Sequence, residues 1–174
     1  MKGAIIDAIK DLVVENFGME KWMDVLENAG LPRTTTFSVR KDVPDETVLA
    51  VVESISRTLN LSPEEVADAF GEYWVTVYMP KVYKPYYRGV TSARELLLKM
   101  DEIHRKATQN IPNAHPPRFE YRWEAPNVLI MKYKSPRKLM AIFMGLAKGV
   151  GKFYKTPLQV EQISEDEVRI TFPE

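Results

Sequence analysis

One histidine, His104, lies on an apolar helical stripe, where it could do specialised chemistry. Leu97, Met100 and Ala107 recur with it at helical spacing. A lone histidine on such a face is either a hydrogen-bonded core residue or a metal ligand. If it is a ligand, haem iron suits one imidazole better than zinc does, because the porphyrin supplies four ligands of its own.

A second constellation is the stretch YKSPR, which separates an apolar run from a helix-forming run. Tyr133 and Ser135 are two residues apart on an extended segment, so their side chains face the same way. Ser135 followed by Pro136 is also a typical helix cap. A cap there places Arg137 in the first helical turn, where its charge opposes the helix dipole. Two hydroxyls and a guanidinium could instead bind a carboxylate.

Other candidate sites fail on spacing or composition. The glycine run that begins at Gly145 lacks the spacing and the Lys-Ser/Thr end of a phosphate-binding loop. The acidic residues Asp101 and Glu102, and the run at residues 165–167, are expected to be solvated surface or turn. The absence of cysteine excludes disulfides and cysteine-ligated metals, and the two histidines nearly exclude a multi-histidine metal site.

Composition narrows the class of protein further. The 174 residues fit one domain that can bury a core without a metal or a disulfide. A formal net charge of zero argues against a nucleic-acid binder, so the tyrosine-rich loop at residues 82–89 is not expected to stack bases. The N-terminus does not resemble a signal peptide, and no run of about 18 apolar residues occurs. We therefore expect a cytoplasmic chain that does not cross a membrane.

Helical periodicity dominates the first half of the chain. We expect helices that end at Gly18 and Gly30, and a third that opens at Pro44. A capping box at residues 62–65 starts a fourth helix, which we expect to end near Gly71. The next run, EYWVTVYM, is ambiguous between helix and strand, and its helical neighbours favour a helix.

The second half has a different pattern. A capping box at Ser92 and Glu95 starts one long helix that carries His104. The runs RFEYRW and NVLIMKY flank EAPN, and LQVEQI and EVRITF flank SEDE, so each set predicts a hairpin. A further helix is expected to begin at Pro136. The predicted fold class is α+β: a helical N-terminal half, then an antiparallel sheet of about four strands with helices packed against it.

These motifs resemble those of a known family, the haem nitric oxide/oxygen-binding (H-NOX) domains, which are related to the sensor domain of soluble guanylate cyclase. The resemblance covers nearly the whole chain through MKG, FGEYWV, MDEIH, PPRF, YKSPR and GLAKG. Its most specific parts are Tyr-x-Ser-x-Arg and the Asp-x-x-His helix. It implies a single domain over 1–174, with a helical subdomain at 1–65 and a haem-ligating α+β subdomain at 66–174. The haem would lie between helices and sheet.

The resemblance also implies roles for individual residues. His104 is similar to the proximal ligand of a b-type haem (heme b), and Pro117 to the proline that presses on the porphyrin and bends it. Tyr133, Ser135 and Arg137 resemble the clamp on the haem propionates. The positions that resemble the distal wall of the haem pocket are Ile5, Ile9, Trp74, Tyr78, Ile142 and Leu146.

One distal position departs from the pattern of oxygen-holding relatives. They carry a tyrosine five residues after the motif arginine, where this chain has Ile142. Oxygen bound to ferrous iron gains from a hydrogen-bond donor, whereas bound nitric oxide needs none. The resemblance therefore predicts a sensor that binds nitric oxide and carbon monoxide and excludes oxygen, unless Trp74 or Tyr78 points inward as a donor.

A ligand-driven switch is the expected mechanism of signalling. Nitric oxide weakens the iron bond trans to itself, so release of His104 could let its helix move and relieve the distortion held by Pro117. The implied partner is a separate protein, a histidine kinase or a cyclic-di-GMP enzyme.

One alternative function is that of a haem enzyme such as a peroxidase, although the predicted distal positions lack its acid–base group. The other is a haem-free interaction domain.

Overall fold

The computed structural model describes residues 3–112 and 114–174, and it has the mixed α and β content that the sequence predicts. The helices are α1 (Gly3–Phe17), α2 (Met19–Asn28), α3 (Asp45–Leu59), α4 (Pro63–Tyr73), a π-helical turn (Trp74–Tyr78), α5 (Met79–Val82), a 3-10 turn (Lys84–Tyr87), α6 (Ala93–Leu98), α7 (Met100–Thr108) and α8 (Met140–Phe153). The strands are β1 (Arg118–Ala125), β2 (Val128–Lys134), β3 (Gln159–Gln162) and β4 (Glu167–Thr171). The chain forms two compact units, Met1–Phe70 and Gly71–Glu174.

The N-terminal unit is helical, and local sequence signals set its helix boundaries. Gly18 and Gly30 follow α1 and α2 with φ of 86° and 77°, which confirms both predicted ends. The capping box is also confirmed, since the Ser62 N–H donates to the Glu65 carboxylate at 2.7 Å and the Glu65 N–H donates to the Ser62 hydroxyl at 3.1 Å. The buried side chains of α1, α2 and α3 include Ile6, Ile9, Val13, Trp22, Val25, Leu26, Val48, Val51 and Ile55.

The predicted end of the fourth helix near Gly71 is wrong. Helix α4 runs to Tyr73 and continues through the π-helical turn into α5. A Cβ atom at Gly71 would overlap the main chain of Gly145 in α8, so this glycine permits close packing and does not end a helix. The ambiguous run is helical, as predicted, but it is wound as a π-turn in which the Met79 N–H donates to the Trp74 carbonyl five residues back.

The C-terminal unit contains a four-stranded antiparallel sheet in the order β1-β2-β4-β3. Both predicted hairpins are present, with Phe119 opposite Tyr133 in the first of them. Leu129, Met131 and Tyr133 alternate along one face of β2 and are buried. Helix α8 contributes further side chains to the same hydrophobic core, as do Leu96 and Leu97 of α6.

The helix predicted to carry His104 is two helices. A break at Lys99 separates α6 from α7, although Ser92 caps α6 as expected by accepting the Glu95 N–H at 3.2 Å. Leu96 and Leu97 of α6 are buried, whereas no residue of α7 is fully buried. The break therefore separates a core helix from a partly exposed one. None of the helices within the described ranges is both long and apolar enough to cross a membrane.

Candidate functional site

The imidazole of His104 is half-buried on α7 and held by its own helix. Its Nδ1 lies 2.8 Å from the carbonyl oxygen of Met100, one turn back. A carbonyl only accepts hydrogen bonds, so Nδ1 carries the proton and Nε2 keeps its lone pair. Burial lowers the pKa of His104, against smaller opposing effects of Met100 and the Asp101 charge. The ring is thus held as a neutral imidazole with one nitrogen ready to bind a metal.

Aromatic rings connect His104 to the YKSPR stretch. The ring of Phe119 lies 5.6 Å from that of His104 and 5.7 Å from that of Tyr133. Phe143 of α8 completes the group, 5.2 Å from Phe119 and stacked on Tyr133 at 5.5 Å. We call these four residues the aromatic cluster. It brings together a predicted ligand and a predicted clamp residue that are 29 positions apart in the sequence.

Phe119 and Phe143 were missed as site residues. The signal for Phe119 was present, because it follows the two prolines of PPRF and is buried at the inward position of β1 opposite Tyr133. Phe143 carried no comparable motif. Its place follows from the periodicity of α8, which turns it toward the core.

An ion pair ties α7 to β1. The carboxylate of Asp101 accepts two hydrogen bonds of 2.7 Å from Arg118 and one of 2.9 Å from the Phe119 N–H. The Asp101 N–H donates to the Tyr121 hydroxyl at 3.1 Å. The Arg118 bonds, the largest cause, lower the pKa of Asp101 from 3.8 to about 2. The expectation that Asp101 is a solvated surface residue is wrong, since its side chain is 23% exposed and faces the sheet.

The turn at YKSPR differs from the predicted helix cap. Helix α8 begins at Met140, so Ser135 is not its N-cap and Pro136 is not its first residue. Instead the Ser135 hydroxyl accepts the Arg137 N–H at 3.3 Å, and Lys138 has a left-handed φ of 50°, which turns the chain before the helix can start. Arg137 therefore precedes α8, and the argument that its charge opposes the helix dipole is wrong.

The side chain of Arg137 has a different partner. Its Nη1 donates to the carbonyl oxygen of His115 at 2.9 Å. His115 is exposed, and it lies two residues before the half-buried Pro117, which directly precedes β1. The structure thus brings Arg137 to the loop that holds Pro117, while Tyr133 reaches the aromatic cluster beside His104.

The other predicted residues lie on three elements. Trp74 and Tyr78 belong to the π-helical turn, with ring centroids 5.0 Å apart and planes inclined by 21°. Ile142 and Leu146, both half-buried, lie one turn apart on α8, which packs on that turn. Ile5 and Ile9 belong to α1 of the N-terminal unit, where Ile9 is buried. The assignment of Ile5 and Ile9 to a haem pocket stays a prediction.

Comparisons with known proteins identify the family to which the chain belongs. A family model described as HNOB, Haem-NO-binding, matches residues 2–162. The soluble guanylate cyclases gcy-32 and gcy-34 of Caenorhabditis elegans are each 24% identical over 156 residues, which are 87% of this chain and 23% of theirs. The chain therefore spans about a quarter of the length of these curated relatives.

Solved structures show the same fold over the whole chain. An I5F mutant of the T. tengcongensis H-NOX protein superposes with a TM-score of 0.86 and 26% identity, covering 100% of this chain and 98% of that one. An oxygen-binding H-NOX domain, described as related to soluble guanylate cyclases, superposes with a TM-score of 0.84 and 25% identity, covering 100% and 96%. The chain belongs to the H-NOX family, the haem-binding gas-sensor domains related to soluble guanylate cyclase. This confirms the resemblance that its motifs suggested.

Proposed function

We propose that this domain binds nitric oxide and carbon monoxide at a ferrous b-type haem held by His104, excludes oxygen, and signals to a separate protein. The observation that carries the proposal is the 2.8 Å contact between the Nδ1 of His104 and the Met100 carbonyl oxygen. It presents Nε2 of a neutral imidazole as the ligand. Ferrous haem supplies the metal that binds the gas, and a single protein ligand of this kind fits it.

The YKSPR stretch would hold the haem propionates. Arg137 offers a guanidinium whose fork matches a carboxylate, and Tyr133 and Ser135 offer hydroxyls from the same short segment. The bond from Arg137 to the His115 carbonyl orients the guanidinium beside the loop of Pro117. In this proposal Pro117 presses on the porphyrin face, and the start of β1 directly after it is held by the hydrogen bonds of Arg118 and Phe119 to Asp101.

Discrimination between gases would rest on α8. Ile142 places a hydrocarbon side chain where a hydrogen-bond donor would stabilise bound oxygen, and Leu146 extends the same apolar surface by one turn. Withholding one hydrogen bond from a polar ligand in a dry pocket costs on the order of 1 to 3 kcal/mol. Trp74 packs its ring on Tyr78 and lies 5.7 Å from Tyr83, contacts that hold the indole in place. The proposal assigns Trp74 and Tyr78 to the distal wall without a donor role.

Signal transfer would begin at α7. If His104 held the haem, its release would free a helix whose remaining contacts with β1 include the Asp101–Arg118 pair. Binding can shift this helix only if nitric oxide has different affinities for the two arrangements. We propose a partner that acts in trans, a histidine kinase or an enzyme of cyclic nucleotide or cyclic-di-GMP metabolism, and no catalytic role for this domain itself.

An absorption spectrum of the reduced protein tests the proposal. The purified protein should be coloured, and it should shift its Soret band on addition of nitric oxide or carbon monoxide. In air it should form no persistent oxygen complex. A stable oxy spectrum would show that the distal pocket has been misassigned, and a colourless protein that takes up no added haem would overturn haem binding itself.

A further inference from the structure

Four aromatic side chains form a continuous row in the C-terminal unit. Their order is Tyr78, Trp74, Tyr83 and Tyr86, with successive ring centroids 5.0, 5.7 and 6.1 Å apart. We call this row the aromatic ladder. Its first two rings are stacked because the π-helical winding of residues 74–78 places side chains four apart on nearly the same side of the axis. Aromatic pairs at these spacings are in direct contact.

The aromatic ladder leads from the interior to solvent. Tyr78 is 7% exposed, Tyr83 is half-buried, and Tyr86 in the 3-10 turn is 42% exposed. A hydrophobic core needs no such graded row, and an exposed tyrosine at its end adds little to stability. Lys84 and Pro85 separate the last two tyrosines, and the 3-10 turn returns Tyr86 toward Tyr83. The sequence alone predicts only a tyrosine-rich loop here.

Indole and phenol are among the side chains that lose one electron most readily, and this chain has no cysteine to compete with them. A phenol that gives up an electron must also release its proton. Tyr83 is half-buried, so water has limited access to take up that proton there. Tyr86 can release its proton to water. The radical is therefore expected to be localised on Tyr86, at the exposed end of the aromatic ladder.

We propose that the aromatic ladder carries single oxidising equivalents from the haem site to the surface, with Tyr86 as the terminal electron donor. The proposal rests on the proposed function, because it needs Trp74 and Tyr78 to lie against the haem. The oxidant is hydrogen peroxide, which would react slowly and once per molecule because the predicted distal positions offer no acid–base group to speed cleavage of its O–O bond. It accepts two electrons and two protons while its O–O bond breaks, and leaves as two waters. Ferrous iron at the proposed haem site would supply one electron and become ferric, and Tyr86 would supply the other, becoming a neutral phenoxyl radical as its proton goes to solvent.

Phenoxyl radicals on two protein molecules couple through a carbon–carbon bond, so the expected product is a dityrosine-linked dimer. The experiment treats the reduced haem-loaded protein with hydrogen peroxide and follows the tyrosyl radical by electron paramagnetic resonance. Covalent dimers are then separated on a denaturing gel, and the cross-link is mapped by mass spectrometry. The wild-type protein should give a dimer linked at Tyr86.

Variants locate the path. Tyr86→Phe should lose the dimer, and Tyr83→Phe and Trp74→Phe should lose it too, because a phenyl ring keeps the packing and cannot be oxidised. Tyr154→Phe is the matched control, a half-buried tyrosine outside the aromatic ladder, and it should behave like the wild type. Haem content is measured for each variant. If the Trp74→Phe or Tyr83→Phe protein binds haem and still forms as much dimer as the wild type, electron transfer through the aromatic ladder is ruled out, while the proposed function stands. A wild-type protein that binds no haem overturns the proposed function and the aromatic ladder with it.

Discussion

Two hydrogen bonds of 2.7 Å join the guanidinium of Arg118 to both carboxylate oxygens of Asp101. They connect the first strand of the sheet to the helix that carries His104. The same carboxylate accepts the Phe119 N–H, so one side chain fixes both the start of β1 and the position of the aromatic cluster. Any movement of α7 away from the sheet must either break the Asp101–Arg118 pair or move the start of β1 together with α7.

Replacement of Asp101 by Asn should therefore destabilise the protein by about 1 kcal/mol. The ion pair is partly exposed, so solvent screening keeps its contribution to the free energy of unfolding well below that of a buried pair. The measurement is the free energy of unfolding in urea. Glu102→Gln is the matched control, because Glu102 is an exposed carboxylate on the same turn of α7. Equal losses in the two variants would mean that the Asp101–Arg118 pair contributes no more than the exposed Glu102–Lys106 pair.

The same carboxylate should give the stability a defined pH dependence. The pKa of Asp101 is lowered to about 2 in the folded protein, below its usual 3.8. Its contribution is fully present above the unfolded pKa and is lost as the pH falls toward about 2. Urea unfolding at about pH 6 and about pH 3 should show a smaller loss of stability in Asp101→Asn than in the wild type. Parallel loss in both proteins would contradict the assigned pKa.

The change in stability caused by Gly71→Ala should show whether close packing or helix propensity dominates at this position, because the two effects have opposite signs. In an unconstrained helix, alanine in place of glycine gains up to about 1 kcal/mol. Here the added methyl overlaps the main chain of Gly145, and overpacking costs about 1 to 3 kcal/mol. We expect a net loss of stability by thermal or urea unfolding. A stabilised variant would show that Gly71 and Gly145 are not in close contact.

Arg137→Gln should weaken haem retention. Removal of a charge-assisted bond to a carboxylate costs about 1.5 to 3 kcal/mol, or roughly a tenfold to hundredfold change in affinity. The rate of haem transfer to an excess of apomyoglobin measures this change. Lys138→Gln removes a neighbouring exposed charge that pairs with Glu165, and it should leave the rate unaltered. If both variants release haem alike, Arg137 does not bind the propionates.

Ile142→Tyr should create an oxygen complex where the wild type forms none. The added hydroxyl would donate to bound oxygen, a gain of about 1 to 3 kcal/mol in a dry pocket. Ile142→Phe fills the same space without a donor and should still fail to hold oxygen. Spectra of the reduced variants in air distinguish these outcomes. An oxy spectrum in the phenylalanine variant would show that pocket size, not hydrogen bonding, decides the ligand.

Features set by local chemistry were predictable from sequence. The left-handed glycines Gly18 and Gly30, the capping box at Ser62 and the two hairpins all follow from residues close together in the chain. Gly71 shows the limit of such reasoning, because a glycine that ends a helix and one that admits a neighbouring helix look alike until the neighbour is known.

Pairings between distant positions were beyond the sequence argument. Asp101 and Arg118 are 17 residues apart, and nothing local indicates that they meet. The turn at Ser135 could not be predicted for a related reason, because Ser-Pro is compatible with both a helix cap and a turn. The structure has a turn because Lys138 adopts a positive φ, and lysine has no preference for that conformation. His104 stands out in the sequence because its type contrasts with its apolar stripe, and its role as a ligand stays a prediction.

The central claim is that His104 is the single protein ligand to haem iron, and removal of its ring tests it most directly. His104→Gly should bind little haem and lack the wild-type ferrous spectrum until imidazole is added, which should restore both. His115→Gly, which removes the exposed histidine of the loop before β1, should match the wild type throughout. A His104→Gly protein that keeps haem and the wild-type spectrum without imidazole would contradict the claim.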